Sequence, residues 1–407
     1  MTLDHGLARE SLFQEVSTLS PLGHRALERR SGRAGRGSAD RRVDERVSAF
    51  HRSIPGYGPT RLIELDEIGR ELGLERLWMK DETSRLGLPA FKILGASWAV
   101  HRALCRRLGL PDGDEAVPRE AVTALLAEHP PCRFVTATDG NHGRAVARAA
   151  AVYGCRAHIL VPAGTAAARI AAIAGEGATV EVWDGSYDDA VAAAAARADL
   201  DTIVLPDTAT AADEVIPRWV ADGYSTVFHE IDAELERRGE AGPDLVIVQI
   251  GVGALASAVV AHYRSTRHSE RAPHLVGVEP LTAACVLETV AAGQVVEVPG
   301  PHPSVMAGLN AGLPSLTALP LIADGMDAFC AVSDDAAREA VRLLRRHGIE
   351  AGETGAAGLA GLLAVKREFP AICGGEIDDA RRALLILTEG VTDPVTYEQA
   401  LREVPRS

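Results

Sequence analysis

Gly87-Leu88-Pro89-Ala90-Phe91-Lys92-Ile93-Leu94-Gly95-Ala96 is the stretch that decides how this chain is read. One lysine stands among apolar residues, with glycines on both sides. Phe91, Ile93 and Leu94 would wall Lys92 off from water, and desolvation disfavours the ammonium form, which lowers the pKa of the amine. A neutral amine attacks a carbonyl and forms a Schiff base. Lys92 also opens a predicted helix that runs to about Arg107, and a lysine in a first turn can equally snorkel to solvent. The glycine-rich turns downstream separate the two readings.

Length and composition narrow the field. The 407 residues suggest two or three domains. Hydrophobic residues make up 47% and charged ones 24%, as in a globular chain with a large core. Aromatic residues make up only 4%, which argues against a stacking platform for single-stranded nucleic acid. The net charge of -14 argues against non-specific binding to DNA or to an anionic membrane surface. Cys105, Cys132, Cys155, Cys285, Cys330 and Cys373 lie far apart with no C-x-x-C pair. Buried free thiols are expected, and no zinc site, other metal site or disulfide framework. No apolar run reaches the length of a membrane span. The start, MTLDHGLARESLFQEV, has an early acidic residue and no apolar core, unlike a signal peptide. A cytoplasmic protein with no nucleic-acid or membrane partner is expected.

Residues 1–50 are polar and arginine-rich, with Ser31-Gly32-Arg33-Ala34-Gly35-Arg36-Gly37-Ser38 in the middle, and read as a loose arm. Globular sequence starts at Pro55-Gly56-Tyr57-Gly58-Pro59-Thr60. Leu62 to Gly73 has helical spacing and Arg76 to Lys80 reads as a strand. Beyond the breaker at Gly109-Leu110-Pro111-Asp112-Gly113, short apolar strands alternate with helices. Strands are expected at Phe134–Ala137, Ala157–Val161, Thr179–Val182, Thr202–Leu205, Leu245–Ile250, Leu275–Val278 and Ala383–Leu387. Such alternation predicts an α/β fold, mostly parallel sheet flanked by helices on both faces. A small α/β domain at 113–224 is expected as an insertion into a larger one formed by 51–112 and 225–407.

Two turns sit where a strand enters a helix. Gly251-Val252-Gly253-Ala254-Leu255-Ala256 would point backbone N–H groups at an anion such as a phosphate. The acidic residue that a dinucleotide site needs about 20 positions on is not in place, and no G-x-x-x-x-G-K-[S/T] loop is present. Thr138-Asp139-Gly140-Asn141-His142-Gly143 would hold a carboxylate on its amides, with Asn141 offered to a ring oxygen and Asp139 placed for acid/base work. The plain alternative is a capped helix start with a structural His142. A phosphate turn, a carboxylate turn and a desolvated lysine together fit a pyridoxal 5'-phosphate enzyme acting on an amino acid.

On these residues the chain resembles the fold type II pyridoxal-phosphate enzymes, the tryptophan synthase β family. The resemblance covers about residues 50 to 400. It implies that Lys92 carries the Schiff base and that Asn141 meets the ring hydroxyl of the cofactor. It implies that Gly251, Val252, Gly253, Ala254 and Leu255 hold the phosphate and that Thr388 faces the pyridine nitrogen. A neutral partner at that nitrogen favours elimination over transamination. Phe91 and Glu353 are expected beside the cofactor.

Within the family the motifs are most similar to those of the diaminopropionate ammonia-lyases. They are Gly56-Tyr57-Gly58-Pro59-Thr60, Lys80-Asp81-Glu82, Leu88 to Gly95, Thr138 to Arg144, Tyr187-Asp188-Asp189, Met306-Ala307-Gly308-Leu309 and Thr388-Glu389-Gly390-Val391-Thr392-Asp393. Aspartate at 139, where relatives such as threonine dehydratase carry serine, is the distinguishing mark. The resemblance implies that Asp139 and Asp207 act as bases on opposite enantiomers of 2,3-diaminopropionate, and that the enzyme is a homodimer. Thr138, Asp139, Gly140, His142 and Asp213 are expected to meet the substrate. Two departures stand out. Thr210-Ala211-Ala212-Asp213 replaces the family's Trp-Glu-Gly-Tyr, and Asn310 stands where relatives often have cysteine. They keep open a serine or threonine dehydratase, a β-replacement enzyme, and a non-catalytic protein that binds the cofactor.

Overall fold

A computed structural model describes residues 12–16, 20, 23–30, 45–111, 117–138, 140–185, 187–206, 208, 214–265 and 272–402. Its strands, in chain order, are β1 (Phe13–Glu15), β2 (Arg25–Arg29), β3 (Leu62–Glu64), β4 (Arg76–Asp81), β5 (Arg133–Ala137), β6 (Arg156–Pro162), β7 (Thr179–Trp183), β8 (Thr202–Val204), β9 (Leu245–Gln249), β10 (His274–Pro280), β11 (Ala328–Val332) and β12 (Arg382–Leu387). They form two compact units. One unit gathers β1, β2, residues 61–81 and the chain from 231 onward; the other gathers 45–60 and 82–230.

The first unit is built on an eight-stranded sheet ordered β1-β2-β11-β10-β9-β12-β4-β3. Its centre is parallel: Ile247 of β9 sits opposite Val276 of β10 on one side and Leu385 of β12 on the other. All five residues of β9 are buried, as a strand covered on both faces requires. Helix Glu353–Glu368, rich in alanine and glycine, is buried along most of its length against this sheet. At the end of β10, the carboxyl of Glu279 accepts the backbone N–H of Val286 and of Leu287, at the start of helix Cys285–Ala292. Complete burial pushes its pKa up to about 8, because desolvation disfavours the charged form.

The second unit carries a four-stranded, all-parallel sheet ordered β7-β6-β5-β8. Helix Lys92–Arg107 belongs to it, and twelve of its residues, from Ile93 to Cys105, are buried. This differs from the expected insertion at 113–224, and the reason is a close helix contact. A Cβ on Gly95 would lie 2.6 Å from Tyr224 Cε1, and one on Gly223 would lie 2.5 Å from the Leu94 carbonyl oxygen. Two glycines thus let helix Val215–Gly223 lie backbone to backbone on the lysine helix.

Two further expectations are corrected. The arginine-rich N-terminal region is not wholly a loose arm: β1 and β2 pair antiparallel, and β2 adds to β11 at the sheet edge. Phe13, Ala26 and Leu27 are buried there, with the Phe13 ring edge-on to Phe329. The Ser31–Ser38 run lies outside the described residues. The expected helix Leu62–Gly73 is a strand, β3, followed by a shorter helix, Asp66–Glu71. Leu62 pairs with Lys80 of β4, so its apolar spacing serves a strand first and a helix afterwards.

Among the described residues no helix is long and apolar enough to cross a membrane, and no cluster of three or more His, Cys, Asp or Glu is grouped to hold a metal. The Gly223 contact is testable. Gly223→Ala forces a methyl group into the Leu94 carbonyl and should lower stability by about 1–3 kcal/mol in denaturant unfolding, the usual cost of overpacking. An unchanged midpoint would contradict the contact.

Candidate active site

Lys92 is one of three lysines, and the other two are committed elsewhere. Lys80 is buried within β4, and Lys366 donates to the Asp378 carbonyl at 2.7 Å. Lys92 is the first residue of its helix and is half-buried, with Nζ 5.7 Å from the centre of the Phe91 ring. Phe91 itself is buried and packs on Tyr224, ring centres 4.6 Å apart. Phe91 thus flanks the amine on one side, and Ile93 and Leu94 are buried beside it in the chain.

What holds the first turn was not visible in sequence. His51 is completely buried, and its pKa falls to about 3 because desolvation disfavours the imidazolium. As a neutral ring it donates from Nε2 to the Leu94 carbonyl at 3.0 Å and accepts from the Thr226 hydroxyl at Nδ1, 2.7 Å away. Upstream, Arg85 has no exposed surface and is forked between two carboxylates. It reaches Glu82 at 2.6 and 2.7 Å and Glu230 at 2.7 and 2.8 Å. Burial alone would lower its pKa, but the Glu82 charge and the bonds to both carboxylates hold it raised. Thr60 and Tyr57 complete the shell. The next two residues, Leu86 at φ 50 and Gly87 at φ 77, form a left-handed turn that leads into Leu88–Lys92.

In the same unit, the loop after β5 enters helix Asn141–Val152. The Thr138 hydroxyl accepts the backbone N–H of Gly140 and of Gly143 and so shapes the turn. Asn141 is the first helical residue and is half-buried. His142 is fully buried and donates from Nε2 to the Leu205 carbonyl, at 2.9 Å. It therefore ties the start of helix Asn141–Val152 to Leu205, just beyond β8. Asp139, Asp207 and Asp213 lie outside the described residues.

The first unit supplies the phosphate-type turn. Gly251 to Gly253 follow the carboxyl end of β9, and helix Ala254–Tyr263 starts with no side-chain cap. Gly253 has φ 105, a left-handed value that favours glycine, and a Cβ there would lie 2.6 Å from Ile322 Cδ1. An uncapped helix start leaves its first N–H groups to an outside acceptor, and the local dipole favours an anion. Ala254 and Leu255 are buried and Val252 is half-buried. Thr388 follows β12, the neighbour of β9, and is buried; its Oγ1 accepts from Gln249 Nε2 at 2.9 Å. Glu353 is the buried first residue of helix Glu353–Glu368. Asn310 donates to the Ser304 carbonyl and so fastens its own loop.

Within the first unit, the uncapped turn at 251–254 suits a phosphate and the Thr388 hydroxyl suits a pyridine nitrogen; within the second, Lys92 is an amine suited to an aldehyde. A family model described as pyridoxal-phosphate dependent enzyme matches residues 54–372. The chain belongs to that family, with its fold type II architecture, and its cofactor is pyridoxal phosphate. It is similar to the diaminopropionate ammonia-lyase of Salmonella typhimurium, at 34% identity over 368 residues, 88% of this chain and 91% of that protein. It is also similar to the L-threonine ammonia-lyase of Geobacter sulfurreducens, at 26% identity over 75% of this chain and 66% of that protein. The crystal structure of diaminopropionate ammonia lyase from Escherichia coli in complex with D-serine matches with a TM-score of 0.84 and 31% identity, covering 95% of this chain and 98% of the other. The same enzyme in complex with an aminoacrylate-PLP azomethine reaction intermediate matches at 0.81, with equal coverage.

The Arg85 fork carries the prediction of this section. Arg85→Met strands two buried carboxylates and should cost about 3–5 kcal/mol in unfolding free energy, as removal of one partner from a buried ion pair does. A loss below about 1 kcal/mol, the range of exposed pairs, would show that the fork is not buried as described.

Proposed function

We propose that this chain is an ammonia-lyase that eliminates ammonia across the α and β carbons of 2,3-diaminopropionate. With one water consumed, the products are pyruvate and both nitrogens as ammonia. The observation that carries the reading is Asp139 within Thr138-Asp139-Gly140-Asn141, in a chain whose similarity to diaminopropionate ammonia-lyases runs through most of its length.

The bound pyridoxal phosphate supplies an electron sink for the negative charge that develops at the α-carbon. Lys92, whose amine lies beside the Phe91 ring, would hold the aldehyde of that group. The backbone N–H groups at 251–254 would hold the phosphate and Thr388 would serve the pyridine nitrogen. Asn141 meets the ring hydroxyl, while the amides at the start of its helix hold the substrate carboxylate. Asp139 and Asp207 remove the α-proton, one from each enantiomer. The Lys92 amine would carry a proton to the departing β-amine.

A second reading, dehydration of serine or threonine, is favoured by one observation: Thr210-Ala211-Ala212-Asp213 lacks the bulky and acidic groups of the diaminopropionate enzymes. The proposal extends to a homodimer in the cytoplasm. All six cysteines are free thiols, which suits a reducing compartment.

Both enantiomers of 2,3-diaminopropionate should yield pyruvate in an assay coupled to lactate dehydrogenase. Asp139→Asn and Asp207→Asn should each slow one enantiomer by about 10²–10⁴-fold and spare the other, the range expected for loss of a general base. Faster turnover of serine or threonine than of either enantiomer would favour the second reading instead.

A further inference from the structure

Gln249 is the last residue of β9, with only Ile250 between it and the 251–254 turn. Leu245, Val246, Ile247 and Val248 before it are apolar, and Gln249 is 3% exposed. A primary amide buried in such a strand needs partners for its hydrogens. Its Nε2 lies 2.9 Å from Thr388 Oγ1, 3.0 Å from the Ile386 carbonyl, 3.2 Å from that of Thr354 and 3.3 Å from that of Gly355. Three of these oxygens are carbonyls, which only accept, so the amide must turn its NH₂ toward them; the opposite flip would set Oε1 against their lone pairs.

The Thr388 hydroxyl thereby receives a hydrogen from a fixed direction. Among the described residues its own hydrogen has no acceptor, since Oγ1 bonds only to Gln249. Accepting a hydrogen bond also makes a hydroxyl a stronger donor. We infer that Gln249 is a positioning residue: it pins the Thr388 hydroxyl and commits that hydroxyl's proton to the ring nitrogen of the cofactor. A ring nitrogen that accepts from a neutral hydroxyl stays unprotonated, the state suited to elimination. The inference rests on the role proposed above for Thr388, and is independent of which amino acid is the substrate.

The test uses the full chain loaded with pyridoxal phosphate: wild type, Gln249→Met, Thr388→Val and the double variant. The readouts are the visible absorption band of the bound cofactor, its pH dependence, and the cofactor dissociation constant. The expected result is that each single variant shifts the band in the same direction and weakens cofactor binding by about 10-fold, the scale of one hydrogen bond. The double variant should be no worse than Thr388→Val alone, because both remove the same interaction. A wild-type band and affinity in Gln249→Met, or effects that add in the double variant, would overturn the inference and leave the cofactor assignment intact. No cofactor band in the wild type would overturn both. Should Gln249→Met fail to fold, Gln249→Glu decides: its neutral carboxyl can donate and its carboxylate cannot. The band should then return toward wild type as pH falls, and a difference independent of pH would overturn the inference.

Discussion

The buried fork of Arg85 on Glu82 and Glu230 is the constraint on which the lysine stretch depends. A guanidinium without access to water is tolerable only when its donors are all met, and here two carboxylates, a threonine hydroxyl and the Gly58 carbonyl surround it. The fork fixes the chain at residue 85. The left-handed pair Leu86 and Gly87 then turns it, and five residues later Lys92 opens its helix. His51 secures that helix from the side by holding the Leu94 carbonyl, and Gly223 secures it by lying against the same atom. The lysine is thus rigid at its backbone while its side chain stays half-buried, a balance that suits a group that must be positioned and still react.

Each unit places its candidate residues at the carboxyl ends of parallel strands. In one, β9 leads to the glycine turn and its neighbour β12 leads to Thr388. In the other, β5 leads to the Thr138–Asn141 turn, and the loop after β8 is tied to the same helix start through His142. Parallel sheets feed helix N-termini at that edge, so backbone N–H groups collect there without any charged side chain. That explains how a chain with a net charge of -14 can hold anionic ligands.

Much of this was legible in the sequence. The lysine helix came out with the expected ends, because glycines punctuate it and its apolar content is high on every face. All the parallel strands but β11 were legible as short apolar runs, most of them within a residue or two of their observed limits; β11 (Ala328–Val332) was missed. The edge strands β1 and β2 were not, because three buried apolar residues are hidden among arginines and glutamates. Nor was the strand that starts at Leu62, whose spacing suits a helix equally well. Arg85 and Gln249 stand plainly in the sequence, but their partners are far along it: Glu230 is 145 positions from Arg85, and Thr388 is 139 from Gln249. Such pairings belong to topology, and local pattern carries no trace of them.

The central claim is that one amine, and no other in the chain, captures the aldehyde of the cofactor. Borohydride reduction of the chain saturated with pyridoxal phosphate, followed by peptide mass spectrometry, tests it directly. The account predicts one pyridoxyl-phosphate adduct, on Lys92. An adduct on Lys80 or Lys366 in its place, or none at all, would contradict it.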